Sequence, residues 1–287
     1  MQERGEETRR ARTRKGDGVE LPRVTIGDVE VSRLIVGGNP FSAISHQSAE
    51  RDKEMRDYYT TARLKQTLRQ CEDAGINTFC GRVDNHIMRL LSEYWQEGGR
   101  ILWLAQTAPE HRSLEENIHQ AARAGASAIY IQGGTVDQAC EHGRLEELAR
   151  ALTLIRSLGL PAGIAGHDPA SHRRAQEMEL GAQFHMVCFY NLTGRRGRID
   201  VADPSERYHP DDPARAVALI RELPKPCLAY KVLAAGRRDA REAFTYAFEN
   251  IKPTDAVVAG VFTKDHPSQV ADNTRMVLEL LRQPSPT

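Results

Sequence analysis

Eight polar residues stand where short apolar runs of this chain break off: Asn39, Arg82, Gln106, Gln132, His167, Asn191, Lys231 and Lys264. Their types suit different chemistry. A lysine drawn out of water gives up its proton more readily, and then serves as an amine nucleophile or a base. A histidine moves protons near neutral pH. Carboxamides hold hydroxyls or carbonyls, and an arginine grips an acidic group. Lys231 and His167 are therefore the candidate catalytic residues. Asn39, Arg82, Gln106, Gln132, Asn191 and Lys264 are the candidate substrate-binding residues. Each has a plainer reading: the amides can satisfy loop backbone, Arg82 can pair with Asp84, and His167 can bond a neighbouring carbonyl. Lys231 is harder to dismiss, because a lysine is almost never buried without a partner.

The set is rich in cations, with Arg82, Lys231, Lys264 and Arg237 close to the same breaks. The whole chain carries 39 basic and 39 acidic residues, so its net charge is zero. Local positive charge on a neutral chain suits a small anionic ligand, and gives no general attraction to nucleic acid or a membrane surface. No apolar run approaches the ~20 residues of a membrane span. His167 and Asp168 with another carboxylate could hold a divalent metal, but no ligand spacing supports it. The five cysteines are scattered without a CxxC pair, which fits a reducing cytoplasm. Residues 1–20 are charged and read as a disordered tail, leaving 21–287 as one domain. Oligomeric state leaves no mark in the sequence.

The elements that must position these residues alternate. Apolar runs at 34–38, 77–81, 101–107, 128–132, 162–166, 184–190, 227–232 and 256–262 read as strands. Between them lie helical patterns such as TARLKQTLRQCEDAG, NHIMRLLSEYWQEGG and RLEELARALTLIRSLG, several closing on glycine. Ser113 with Glu116 forms a capping-box pattern. Eight strand-then-helix units in about 250 residues predict a closed (β/α)8 TIM barrel. A doubly wound sheet would want a glycine fingerprint after its first strand, and GGNPFS is not GxGxxG. Ahead of the barrel, alternation on both sides of Gly27 and Asp28 predicts a β-hairpin. Period two places Ala229 and Lys231 on one face of their strand, taken as the inward one, and groups Gly163, Ala165 and His167 likewise. The long stretch after the first strand, NPFSAISHQSAERDKEMRDYYT, reads as a lid loop over the open end.

The order of these segments resembles the aldo-keto reductases over most of the barrel. DVEVSRLIVGGN is similar to that family's opening hairpin and first strand, and AGINTFCGRVDN to its AGINFFDTAxxY segment. AIYIQGG, AGIAGHDP, CFYN, CLAYKVLAAGR and VFTKDHPSQVADNT stand where its later strands fall. The resemblance implies a catalytic aspartate, tyrosine, lysine and histidine, but the matching positions hold Cys80, Asn85, Gln106 and Gln132. None of these reproduces a tyrosine whose acidity is tuned to protonate a carbonyl. The resemblance also implies a nicotinamide cofactor, with Tyr230 against the ring and Lys264 near a phosphate. Lys231 in place of a small residue counts against NADP as the favoured cofactor. The leading expectation is a non-redox lyase, aldolase, isomerase or epimerase acting on a small polar anionic carbonyl or carbohydrate compound. In that expectation Lys231 attacks a carbonyl or abstracts a proton, and Gln106, Gln132 and Asn191 hold hydroxyls. A divergent NAD(P)-dependent oxidoreductase using His167 or Tyr190 as donor is the alternative, and a non-catalytic ligand-binding barrel the second.

Overall fold

The computed structural model describes residues 20–190, 203 and 207–282. Asn191 and nearly all of the charged amino-terminal tail lie outside them. The chain enters through an antiparallel hairpin, β1 (Arg23–Ile26) and β2 (Val29–Ser32), with Ile26 opposite Val29. Gly27 takes the turn at φ +61°, and a Cβ there would sit 2.7 Å from the Pro161 ring. The alternate residues Val24, Ile26, Val29 and Val31 are buried and cluster with Leu102, Phe184 and Leu228 from inside the barrel. The hairpin thus closes the amino end of the barrel with apolar side chains.

Eight parallel strands follow: β3 (Leu34–Gly37), β4 (Thr78–Arg82), β5 (Leu102–Gln106), β6 (Ala128–Ile131), β7 (Ala162–Gly166), β8 (Phe184–Cys188), β9 (Cys227–Tyr230) and β10 (Ala256–Gly260). They pair in sequence, and β10 returns to β3 to shut the ring. Their near-continuous burial is that of strands covered on both faces. The helices form the outer layer: α1 (Ala49–Tyr58), α2 (Thr61–Asp73), α3 (Asn85–Gln96), α4 (Leu114–Arg123), α5 (Gly133–Glu141), α6 (Leu145–Ser157), α7 (Pro169–Glu177), α8 (Asp212–Glu222), α9 (Ala240–Asn250) and α10 (Gln269–Arg282). The outward sides of the strands and the inward stripes of the helices make the larger apolar core. No described helix is long and apolar enough to cross a membrane.

The fold is the expected TIM barrel with its hairpin, and its local departures have physical causes. Several strands end one or two residues early, since pairing stops before the apolar run does. Helices α5 and α7 begin at Gly133 and Pro169, residues that read as turn signals. Proline is tolerated at the first helical position, and Gln132 caps α5 by accepting from the Thr135 N–H at 2.9 Å. The stretch read as a lid loop contains α1, capped by Ser48. Ser113 accepts from Glu116 N–H at 3.3 Å, the expected cap of α4. The inward face of β9 is the opposite of the one expected: Leu228 and Tyr230 face the barrel interior.

Interior packing alternates large against absent side chains. A Cβ at Gly163 would lie 2.4 Å from the ring of Phe184, which is wholly buried on the neighbouring strand. Gly163→Ala is therefore expected to overpack the interior and lower unfolding free energy by about 1–3 kcal/mol in urea denaturation.

Candidate active site

A cavity of about 690 Å³ opens at the carboxyl ends of the strands, where barrel loops converge. Asn39, Arg82, Gln106, Gln132, His167, Tyr230 and Lys231 all line it. Lys264 does not; its ammonium pairs with Glu54 at 2.5 Å on the outside.

Lys231 reaches the cavity by a backbone route that period two could not show. It follows the last residue of β9 at φ +61°, a left-handed conformation that a lysine adopts only at a cost of roughly 1–3 kcal/mol. Burial lowers its pKa from the ordinary lysine range; Cys188 opposes this in part, the Arg207 guanidinium adds to it, and Asp137 opposes it more weakly. Among the described residues its ammonium meets no carboxylate; it lies 5.9 Å from the centre of the Tyr230 ring. That ring stands across the barrel mouth, with its hydroxyl donating to Gly166 O at 3.3 Å. Burial pushes the Tyr230 hydroxyl pKa up, so it stays protonated.

His167 ends β7 and is fixed by Asp137 of α5. One carboxylate oxygen accepts from both the His167 backbone N–H and its Nδ1–H, each at 3.0 Å. Burial alone would raise the Asp137 pKa, but the hydrogen bond and charge of His167 outweigh it, and Asp137 remains a carboxylate. A neutral His167 held this way carries its lone pair on Nε2, the arrangement of a general base with an orienting partner. The His167 ring centre lies 6.0 Å from that of Tyr230.

On the opposite wall, Cys80 Sγ lies 3.1 Å from the Tyr130 hydroxyl, which donates to Gln106 Oε1 at 2.8 Å. Burial raises the Cys80 thiol pKa to about 12, so this is no thiolate nucleophile. Asn39 Nδ2 donates to His46 Nε2 at 3.2 Å. His46 is held neutral, its pKa driven down to about 3 by burial and then by Lys231, Arg207 and His167.

The positive rim read from the sequence is largely neutralised. Arg82 pairs with Glu110 and, at 3.5 Å, with Asp84. Arg237 is turned to backbone oxygens and the Tyr208 ring. Tyr190 lines a separate, smaller cavity with Phe189 and Tyr246. Among the described residues no three His, Cys, Asp or Glu side chains gather to hold a metal.

Sequence reasoning missed Asp137 and Tyr130. Asp137 had a signal: it shares a buried helical face with Val136, Ala139 and Cys140, and a carboxylate there demands a partner. Tyr130 lies two residues before Gln132 on the same strand face.

Behind Asp137, His172 of α7 and His185 of β8 share one hydrogen bond, Nδ1 to Nδ1, at 3.0 Å. Both are buried, and neither Nε2 has a partner in the structure. Burial lowers the His172 pKa to about 4, and burial followed by the charge of His172 holds that of His185 well below its ordinary value. The unfolded chain takes up protons near pH 6.5 and the folded one resists, so stability falls as pH drops from 6.5 toward 4. For His172 alone the loss reaches about 2 kcal/mol by pH 5. Urea denaturation at the two pH values should show it, and the double variant His172→Leu with His185→Leu should flatten that slope.

No protein-family model matches the chain, and no curated protein matches it significantly. Among solved structures it is similar to a proposed aldo-keto reductase from Pseudomonas aeruginosa, at 18% identity over 93% of this chain and 98% of that one, TM-score 0.62. It is also similar to a truncated 3-deoxy-D-arabino-heptulosonate 7-phosphate synthase from Thermotoga maritima, at 14% identity over 92% of each chain, TM-score 0.55. At these identities the likeness establishes the barrel fold alone.

Proposed function

We propose that the chain is a non-redox barrel enzyme, a lyase, aldolase, isomerase or epimerase, acting on a small anionic carbonyl or carbohydrate compound through Lys231. The observation that carries this reading is the placement of Lys231. It is held in a strained left-handed conformation, drawn out of water, without a carboxylate partner among the described residues, at the mouth of the cavity. Strain of this kind persists only where the surroundings impose it, and it clusters at functional sites.

The chemistry follows from the groups present. Neutral Lys231 Nζ adds its lone pair to the substrate carbonyl carbon, forming a C–N bond. The carbonyl oxygen takes up protons and departs as water, leaving a protonated Schiff base. That cation draws electrons from the bond beside it, so a neighbouring C–C or C–H bond breaks and His167 Nε2 takes the released proton. Asp137 holds the ring in place and steadies the charge the ring then acquires. The protonated ring returns a proton to carbon on the enamine so formed, and water then adds to the restored Schiff base to release the product and the amine.

A nicotinamide reading fits less well. The arm of the cavity beyond β10 carries Asp239, Asp265 and Asp272. Most cations beside it are committed, Arg51 to Glu54 and Asp265, Arg275 to Asp272 and Lys264 to Glu54, while Arg238 lines the cavity next to Asp239. Three carboxylates among mostly paired cations are a poor fit to a dinucleotide's phosphates.

Borohydride reduction in the presence of small 2-oxo acids and sugar phosphates should fix substrate mass onto the peptide holding Lys231. Since the neutral amine attacks, trapping should rise with pH and level off below the ordinary lysine pKa of 10.5. Lys231→Ala should abolish trapping and cut turnover at least about a hundredfold. Full turnover in that variant would refute the role.

A further inference from the structure

The sequence assigns the acid grip to Arg82 and hydroxyls to the glutamines. The hydrogen bonds reverse that assignment. Arg82 is already paired with Glu110 and Asp84, so it brings little uncompensated charge to the cavity. The acidic end of a substrate must be held elsewhere.

Gln106 and Gln132 end adjacent strands, β5 pairing with β6 so that Gln106 lies opposite Tyr130. The oxygen of each carboxamide is engaged. Gln106 Oε1 accepts the Tyr130 hydroxyl at 2.8 Å. Gln132 Oε1 accepts the Thr135 backbone N–H at 2.9 Å and the Thr135 hydroxyl at 3.3 Å. Since a backbone N–H can only donate, the orientation of the Gln132 amide is fixed, and its NH2 is the end left over. Tyr130 gives its proton to Gln106, so its oxygen is the acceptor for the Cys80 thiol. With Tyr130 donating to Gln106 Oε1, the NH2 of this second amide is likewise the end left over. Neither NH2 group has a partner among the described residues, and both side chains line the cavity.

The unpartnered groups this wall offers are donors, while Gln106 Oε1 keeps one lone pair and His167 lies close by at Gly133. An oxyanion only accepts and so can take both donors at once, whereas a hydroxyl must also place its own proton. The wall is also where α5 begins, and the positive end of that nine-residue helix adds to the preference for negative charge.

We infer that the paired NH2 groups of Gln106 and Gln132 form an oxyanion seat that takes the carboxylate or phosphoryl group of an acidic carbonyl substrate. The inference rests on the reading of Lys231 as the reacting amine, and it narrows the substrate class from carbohydrates in general to acidic carbonyl compounds. It requires no part of the cavity beyond β10.

Calorimetric titration of the full chain with malonate, inorganic phosphate and neutral malonamide tests it without any reactive carbonyl. Its outcome is therefore separate from whether Lys231 can be trapped. At least one of the two anions should bind, and malonamide at least tenfold more weakly. The tighter of malonate and phosphate identifies the group as carboxylate or phosphoryl. Gln106→Glu and Gln132→Glu keep the oxygens that Tyr130 and Thr135 need and replace only the donors, so both should fold and bind the anion at least tenfold more weakly. Gln106→Met and Gln132→Met, which remove the donors without adding charge, should also weaken binding, by at least threefold. Malonamide binding as tightly as the anions, binding unchanged within twofold in the Glu and Met variants, or no binding of either anion would overturn the seat.

Discussion

A closed ring of parallel strands leaves no free edge, and the rest of this molecule depends on that closure. All eight strands pair in parallel and β10 pairs with both β9 and β3, so every strand ends at the same rim. Residues scattered from Asn39 to Lys231 are thereby brought around one opening. The closure also fixes what the interior can contain. It is too narrow for eight large side chains per layer, so Phe184 lies over Gly163, and Tyr130 and Tyr230 reach across from opposite sides. With the hairpin sealing the amino end, the interior opens, among the described residues, at the mouth where the polar residues stand.

Charge at that mouth is arranged by compensation. Cations placed there by the strand ends find carboxylates from loops and helices: Arg82 finds Glu110, and Lys264 finds Glu54. Lys231 has no such partner among the described residues, so desolvation acts on it without an offsetting ion pair. Histidines nearby are tuned in different ways. Asp137 fixes the orientation of His167, while His46 is kept neutral by burial and by the charges of Lys231 and Arg207, which outweigh Asp52. One barrel end thus holds a lysine inclined to lose its proton, a histidine oriented to accept one, and a wall of amide donors.

Much of the fold was legible because strand and helix periods alternate without ambiguity over the barrel. Strand centres were readable because both faces are buried and the runs are nearly all apolar. Helices α5 and α7 were not, because glycine and proline at their first positions signal a turn as strongly as a helix start. The inward face of β9 was misread for a related reason. Tyr230 and Leu228 are large, and small residues were expected toward a tapering interior; instead Gly163 on β7 leaves room across the barrel. Asp137 lies on a helix with no strand-end position, so a search of strand ends passes over it.

The sequence by itself determined the barrel, the hairpin and the identity of the polar residue at each strand end, because these depend on local periodicity and on where apolar runs stop. It did not determine which of those residues are already satisfied. Whether Arg82 is available or paired, whether a glutamine offers its oxygen or its nitrogen, and whether Lys231 faces in or out depend on groups distant along the chain. Glu110 answers the first of these and Tyr130 the second for Gln106. A left-handed backbone turn after Tyr230 answers the third. Hydrogen bonding and desolvation are properties of neighbourhoods in space, and only the closed tertiary structure creates those neighbourhoods.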